Sequence, residues 1–333
     1  MNPVRNNSNK YSGKNSGEVI SYRMNIKQNV PLKNLTTFKV GGCANYFCKV
    51  KSVSELKEAV DFSKKNSLQV FVLGGGSNIL VSDSGFNGLV IKIEIKGISY
   101  EDEKAICGAG ENWDRVVESS IQNKLYGIEN LSFIPGTVGG AVAGNIGAYG
   151  MEIKDNLEWV EVFDTKNLKT IILKKSECKF DYRDSIFKKN NFIITKICLK
   201  LSYEENVNLS YKDIKEYFKN NNTPKLKKVR SAIGKIRKNK FPDLKKYGTA
   251  GSFFKNPVIE GNKIHLAKIL DNLDMKGLRE GSIGISEKQP LIIINYGSAS
   301  AKDVKTFSEK VAHKVYKKTK IKITPEIIFV GKF

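Results

Sequence analysis

Residues 68–82 read LQVFVLGGGSNILVS. An apolar run ends in three successive glycines, a serine and an asparagine, and a second apolar run follows. The pattern predicts a buried strand, a glycine turn and another strand. Immediately upstream, SVSELKEAVDFSKKN (52–66) begins with Ser52 and Glu55 at capping-box spacing and carries apolar residues at helical spacing. The unit 52–82 is therefore helix, strand, glycine loop, strand.

Outward from that unit the same two periodicities continue. GLVIKI (88–93) and KAICGAG (104–110) are strand candidates, and ENWDRVVESSIQNKL (111–125) is an amphipathic helix. LEWVEVFDTKNLKTIIL (157–173) predicts a hairpin turning near Lys166–Asn167, and FIITKICLKLS (192–202) another strand. The composition shifts over 204–246 to Lys, Asn and Glu, with a helical stretch at 225–239, so a domain boundary is expected near 205–225. PLIIINYG (290–297) is a strand, SASAKDVKTFSEKVAHKVYKKT (298–319) a helix with a second capping box from Ser300 to Asp303, and EIIFVG (326–331) a final strand. Helices and strands mix without a strict βαβ rhythm, so the fold class is α+β. There is no internal repeat.

A chain of 333 residues suits two or three domains, and 40% hydrophobic content is enough for folded cores. The formal charge of +22 raises nucleic acid or an anionic membrane as partners. Against that, the lysines are spread along the whole chain beside abundant Asn and Ile, and no RNP1-like signature occurs. The balance reads as a composition bias, part of which can serve an anionic substrate; neither nucleic acid nor membrane is expected as a partner. The five cysteines, irregularly spaced and without C-x-x-C, point to reduced thiols. With only His265 and His313, a histidine triad or multi-histidine metal site is not expected, and no metal is assigned. No run of about 18 apolar residues predicts a membrane span.

The first 23 residues are polar, rich in Asn, Ser and Gly, and lack the apolar core of a signal peptide. Residues 1–28 are expected to form a disordered tail, with Met24 as the native start and the segment before it an artefact of gene calling. Intact mass from the native host tests this.

Two glycine-rich loops carry chemical information. LGGGSN (73–78) closes an apolar strand, where glycine lets successive N–H groups approach an anion and Ser77 and Asn78 add donors. IPGTVGGAVAGNIGAYG (134–150) holds six glycines and three alanines and suits backbone lying against something flat. Neither matches the Walker A or the Rossmann fingerprint. Each alone is more often a structural turn than a phosphate cradle; two in one half of the chain make a dinucleotide site an equal reading. A third stretch, YGTAGSFFKNP (247–257), places Ser252 where a tight turn runs into an apolar strand.

In chain order, TTFKVGG, LGGGSNIL, GAGENW, IPGTVGGAVAGNIGAYG, YRDSIFK, AGSFFKNP and PEIIFVG resemble the UDP-N-acetylenolpyruvoylglucosamine reductase (MurB-type) family from about residue 30 to 333. The resemblance implies two α+β subdomains that bind FAD (29–205), then a linker and a C-terminal α+β substrate-binding domain (206–333). It implies non-covalent FAD held by Gly74, Gly75, Gly76, Ser77, Asn78, Pro135, Gly136, Thr137, Gly140, Asn145, Gly147 and Ala148. It implies a cytoplasmic, monomeric, NADPH-dependent flavoenzyme of peptidoglycan precursor synthesis, acting on UDP-N-acetylglucosamine-enolpyruvate. Ser252 matches the family's proton donor, Arg183 its active-site arginine and Glu326 its active-site glutamate, expected to be protonated or hydrogen-bonded in the complex.

The residues on their own leave other readings open. Ser252 also suits a turn, Arg183 a surface pair with Asp181 or Asp184, and Glu326 a strand end. Tyr211, Lys240, Asn256 and Gln289 match substrate-binding positions, though Lys240 also reads as a solvated lysine. LAKIL (266–270) departs from the family's usual helix start. Another FAD-dependent oxidoreductase on the same flavin fold is the alternative; many of those attach flavin through His or Cys, which the glycine loops lack.

Overall fold

The computed structural model describes residues 24–189, 191–219 and 224–333. The expected artefact, residues 1–23, lies outside the described residues. Of the expected tail, residues 24–28 are built into the fold. Met24 is buried in the main core, and β1 (Lys27–Pro31) starts the first sheet.

β1 pairs antiparallel with β2 (Cys43–Val50). Helix α1 (Val53–Lys65) then crosses over to β3 (Val70–Leu73). Its start is fixed by the expected signal: Ser52 accepts from the Glu55 N–H at 3.2 Å, while the Glu55 carboxylate accepts from the Lys51 N–H at 2.6 Å. The glycine turn leads to β4 (Ile79–Val81) and then β5 (Phe86–Ile93), with sheet order β1-β2-β5-β3 and parallel pairing of β5 with β2 and β3.

One expectation fails here. β3 is not a buried strand: Val70 and Val72 are each 38% exposed. The strand sits at the sheet edge; Val72 lines a cavity, and Phe71 lines it too while packing on Phe86. Nor do β3 and β4 form a hairpin, because β4 belongs to a different sheet.

The second subdomain is an antiparallel sheet. β6 (Ile98–Glu101) and β7 (Lys104–Gly108) precede helices α2 (Trp113–Gln122) and α3 (Val138–Ala143). β8 (Leu157–Asp164), β9 (Lys169–Lys174) and β10 (Phe192–Lys200) complete the order β9-β8-β10-β7-β6. The β8–β9 turn falls where expected. The Asp164 carboxylate accepts from the N–H groups of Lys166 and Asn167 and from the Asn167 amide, an Asx-type turn. Both subdomains share one core, in which Leu89, Ile91 and Leu56 meet Trp113, Val117 and Ile197.

Helices α4 (Lys212–Tyr217) and α5 (Leu226–Lys240) lie against the second subdomain. Ile214, Val229 and Ile233 cluster with Tyr149, and Arg230 makes a two-pronged ion pair with Asp114 of α2 at 2.6 and 2.9 Å. The C-terminal body holds α6 (Leu266–Asn272), the sheet β11 (Arg279–Glu280), β12 (Ile283–Ile285) and β13 (Ile293–Asn295), and the long helix α7 (Ala301–Thr319). The α7 N-terminus carries the expected capping box between Ser300 and Asp303. Asp83, from the loop after β4, adds acceptors for the N–H groups of Ala301 (2.8 Å) and Lys302 (2.9 Å). The chain closes with β14 (Ile328–Val330), which returns to pair in parallel with β4.

All five cysteines are free, and burial pushes the thiols of Cys48, Cys107, Cys178 and Cys198 up to about 12, which leaves them inert. Among the described residues no helix is long and apolar enough to cross a membrane.

Candidate active site

The two glycine loops meet. A Cβ on Gly75 would stand 2.5 Å from the Gly136 Cα, and one on Gly74 would stand 2.7 Å from the Thr137 Oγ1. Only glycine allows the loops this approach. Ser77 ties them together by donating to the Pro135 carbonyl at 2.9 Å. Behind the first loop, Lys92 of β5 donates to the Gly74 carbonyl.

The joined loops form one wall of a cavity of about 1270 Å³. A usual ligand pocket holds about 300–1,000 Å³, so this one has room for more than a single small ligand. It lies at the carboxyl end of β3, as ligand sites do in sheets with parallel strands. The Thr137 hydroxyl is a buried polar atom with no partner among the described residues, and it belongs to a residue that lines the cavity. An unpaired buried hydroxyl costs free energy unless a ligand supplies the partner. With the open glycine cradle, it fits a bound dinucleotide such as FAD.

Ser252, Arg183 and Glu326 all line the same cavity. Arg183 donates from Nε to the Glu326 carboxylate at 3.1 Å and from one terminal nitrogen to the Gly147 carbonyl at 2.6 Å. Its other terminal nitrogen lies 3.5 Å from the Asn145 carbonyl. Neither Asp181 nor Asp184 takes the guanidinium. Those two residues instead exchange backbone hydrogen bonds across a tight turn, and Arg183 at its tip is held at φ +55°. Left-handed backbone at a non-glycine residue stores strain of the kind found at active sites.

Burial raises the Glu326 carboxyl above the ordinary carboxylate range, and the Arg183 charge only partly offsets it. Ser252 sits between strands. It bridges to Ile292, and next to it the Phe253 carbonyl accepts from the Glu326 N–H at 2.8 Å. The Ser252 hydroxyl has no hydrogen-bond partner among the described residues, so it is free to donate into the cavity.

The other expected cofactor residues line the cavity, with one exception. Asn145 is fully buried. Its amide donates to Glu152 (3.0 Å) and to the Asp181 carbonyl (2.9 Å), and so holds the Arg183 turn in place rather than facing the cavity. Asn78 lines the cavity and also has a structural task, because its amide donates to the Glu326 carbonyl at 3.4 Å.

The four expected substrate residues are not brought to the cavity wall. Tyr211 is 42% exposed and packs edge-on to Tyr149, and Lys240 pairs with Asp213 at 2.5 Å. Asn256 accepts from the Leu266 N–H at 3.0 Å, so it caps α6, the helix that departs from the family pattern, and its amide reaches the Tyr182 hydroxyl at 3.4 Å. Gln289 is half-buried, and its side-chain oxygen is buried without a partner among the described residues.

Conversely, Lys188, Arg237 and Lys238 line the cavity and were not singled out in the sequence. Lys188 is the last residue of the quoted YRDSIFK motif. In a chain with 56 lysines and arginines, one more lysine gives no local signal. Its ammonium donates to the Arg183 carbonyl at 2.5 Å.

Known proteins agree with this geometry. Residues 44–168 match the family described as FAD binding domain, and residues 243–330 match UDP-N-acetylenolpyruvoylglucosamine reductase, C-terminal domain. The UDP-N-acetylenolpyruvoylglucosamine reductase of Flavobacterium johnsoniae is 37% identical over 91% of this chain and 99% of its own length. That of Amoebophilus asiaticus is 36% identical with the same coverage. The crystal structure of UDP-N-acetylenolpyruvylglucosamine reductase (MurB) from Thermus caldophilus superposes with a TM-score of 0.71 at 30% identity, covering 92% of this chain and 99% of that one.

Proposed function

Because the chain belongs to the UDP-N-acetylenolpyruvoylglucosamine reductase family, we propose that Ser252, Arg183 and Glu326 carry out the reduction of UDP-N-acetylglucosamine-enolpyruvate to UDP-N-acetylmuramate, with NADPH as the electron source. The chain is a FAD-containing oxidoreductase of peptidoglycan precursor synthesis. One observation carries the residue assignment: the three residues, far apart in sequence, line one cavity that both glycine loops also line.

The two glycine loops and the Thr137 hydroxyl would hold the cofactor, and bound FAD, once reduced by NADPH, would supply a hydride to the enolpyruvyl methylene carbon. That addition leaves negative charge on the neighbouring carbon and its carboxylate. The free Ser252 hydroxyl donates the proton to that carbon. Arg183, fixed by Gly147 and Glu326, places positive charge beside the developing anion. Glu326 keeps Arg183 in register, and its raised pKa limits repulsion between two carboxylates. A monomeric state belongs to the same proposal. The water-soluble nucleotide substrate supports a cytoplasmic location.

Anaerobic half-reactions test the reading. NADPH should bleach the flavin, and UDP-N-acetylglucosamine-enolpyruvate should restore its absorbance. In Ser252→Ala, bleaching should keep its rate while reoxidation falls by roughly 10²–10⁴-fold, the usual worth of a general acid. Equal slowing of both halves would remove Ser252 from the mechanism.

A further inference from the structure

Arg183 and Glu326 form a pair, so the Glu326 carboxylate, whenever ionised, offsets part of the arginine charge. The proposed substrate brings its own carboxylate to this point, and the reaction puts more negative charge on it. Arg183 is also largely committed. Nε and one terminal nitrogen hold Glu326 and Gly147, and only the 3.5 Å contact to the Asn145 carbonyl engages the third nitrogen. With three of its five N–H donors spent and its charge offset in part by Glu326, Arg183 alone is an incomplete receptor for an anion.

Lys188 supplies what the pair lacks. It lines the cavity, and its ammonium makes one hydrogen bond, to the Arg183 carbonyl at 2.5 Å. Among the described residues no carboxylate stands within ion-pair distance of it. An ammonium has three donors, so two remain. Its position is well determined. The single turn Ile186–Lys188 follows the buried Ser185, whose hydroxyl donates to the Ala143 carbonyl at 2.8 Å and so anchors the turn to α3. Burial lowers the affinity of Lys188 for its proton, with Lys255 as the next contributor. Asp184 and Glu326 lie close enough to act on its charge, but neither pairs with it directly. A partly dehydrated cation with open donors and no direct ion pair is a preformed anion site.

We infer that Lys188 binds the carboxylate of the enolpyruvyl group and carries part of the negative charge that develops there. Lys188 is then a catalytic residue alongside Ser252 and Arg183. It remains an ammonium throughout and adds no covalent step. The inference rests on the substrate reading above and assigns a contact within it.

The test uses the FAD-loaded enzyme and its variants Lys188→Met, Lys188→Gln and Lys188→Arg. Two ligands are titrated against the oxidised flavin spectrum: UDP-N-acetylglucosamine-enolpyruvate, and UDP-N-acetylglucosamine, which lacks the carboxylate. In Lys188→Met the enolpyruvyl ligand should bind roughly 10- to 100-fold more weakly, the worth of a charge-assisted hydrogen bond, while the other ligand binds as in the wild type. Flavin reduction by NADPH should keep its rate, reoxidation should fall at least tenfold, and Lys188→Arg should recover part of the loss. Lys188→Gln, which keeps a donor for the Arg183 carbonyl but loses the charge, should resemble Lys188→Met and serves if the methionine variant misfolds. Equal loss of both ligands, or wild-type reoxidation in Lys188→Met and Lys188→Gln, overturns the inference. A wild-type enzyme whose reduced flavin the enolpyruvyl substrate does not reoxidise overturns the substrate reading instead.

Discussion

The contact between the glycine loops sets the size of an effect that a single methyl group should produce. In Gly75→Ala the new Cβ would lie 2.5 Å from the Gly136 Cα, 3.0 Å from the Gly136 carbonyl carbon and 3.2 Å from the Thr137 nitrogen. All three are backbone atoms, so no side chain can swing aside. The loops must part by roughly an ångström before the contact becomes ordinary, and overpacking of this kind costs about 1–3 kcal/mol. Without cofactor the loops can relieve the strain by opening. Binding FAD requires both loops against the ligand, so the cost falls on the bound state. At 1.4 kcal/mol per decade, the FAD dissociation constant should rise about 5- to 150-fold. Flavin fluorescence titration of deflavinated protein measures it directly. Melting of the flavin-free form should change little, while the added stability conferred by FAD shrinks. A variant that binds FAD within twofold of the wild type would show that the loops do not close on the cofactor together.

Two further outcomes follow from the same structure. Asp83→Ala removes the acceptors for the first two N–H groups of α7, 2.8 and 2.9 Å away, and should cost about 0.5–2 kcal/mol, read as a fall of a few degrees in melting temperature; an unchanged midpoint would mean the Ser300–Asp303 capping box alone suffices. Glu326 has a carboxyl pKa raised by burial, so its contribution to stability is complete below the unfolded value near 4.5 and is lost as pH rises through the folded value. Glu326→Gln lacks that titration, so its melting temperature should exceed the wild type's at neutral pH, with the gap closing in acid. A gap independent of pH would refute the assignment of charge burial.

What was readable in the sequence was the local part. The capping pairs Ser52–Glu55 and Ser300–Asp303 act within one turn of chain, and the Asp164 turn closes within three residues. Their signals are complete where they occur. β3 misled because apolar composition does not distinguish a strand covered by protein from one covered by a ligand; Phe71 and Val72 line the cavity. The glycine loops announced close backbone approach, but not that they approach each other, since Gly75 and Gly136 meet only in the folded chain. The roles of Ser252, Arg183 and Glu326 came from resemblance, because no periodicity relates three separate motifs. Lys188 was hidden by the lysine excess. Asn145 was grouped with the cofactor residues because it lies inside a glycine loop, whereas its side chain folds back to hold the Arg183 turn.

One of the two quoted motifs without an assigned residue, TTFKVGG, explains how these parts reach a common place. The Thr37 N–H donates to the Gly76 carbonyl at 3.0 Å. On its other side, Thr37 accepts from the Thr249 N–H at 3.0 Å and donates its hydroxyl to the Thr249 carbonyl at 2.6 Å. A single residue thus ties the first glycine loop to the segment that carries Ser252. Gly76, at φ +65°, has the Leu35 carbonyl 2.0 Å from where a Cβ would be, so this joint admits no other residue. A second joint lies beside it. The Asn78 carbonyl accepts from the Ile328 N–H at 3.0 Å, and its amide reaches the Glu326 carbonyl. The glycine loop is therefore tied at one end, through Thr37, to the segment of Ser252 and at the other to that of Glu326. Backbone hydrogen bonds between ordered strands leave little freedom for the distance between cofactor cradle and reacting groups to vary, and catalysis by placement depends on that distance.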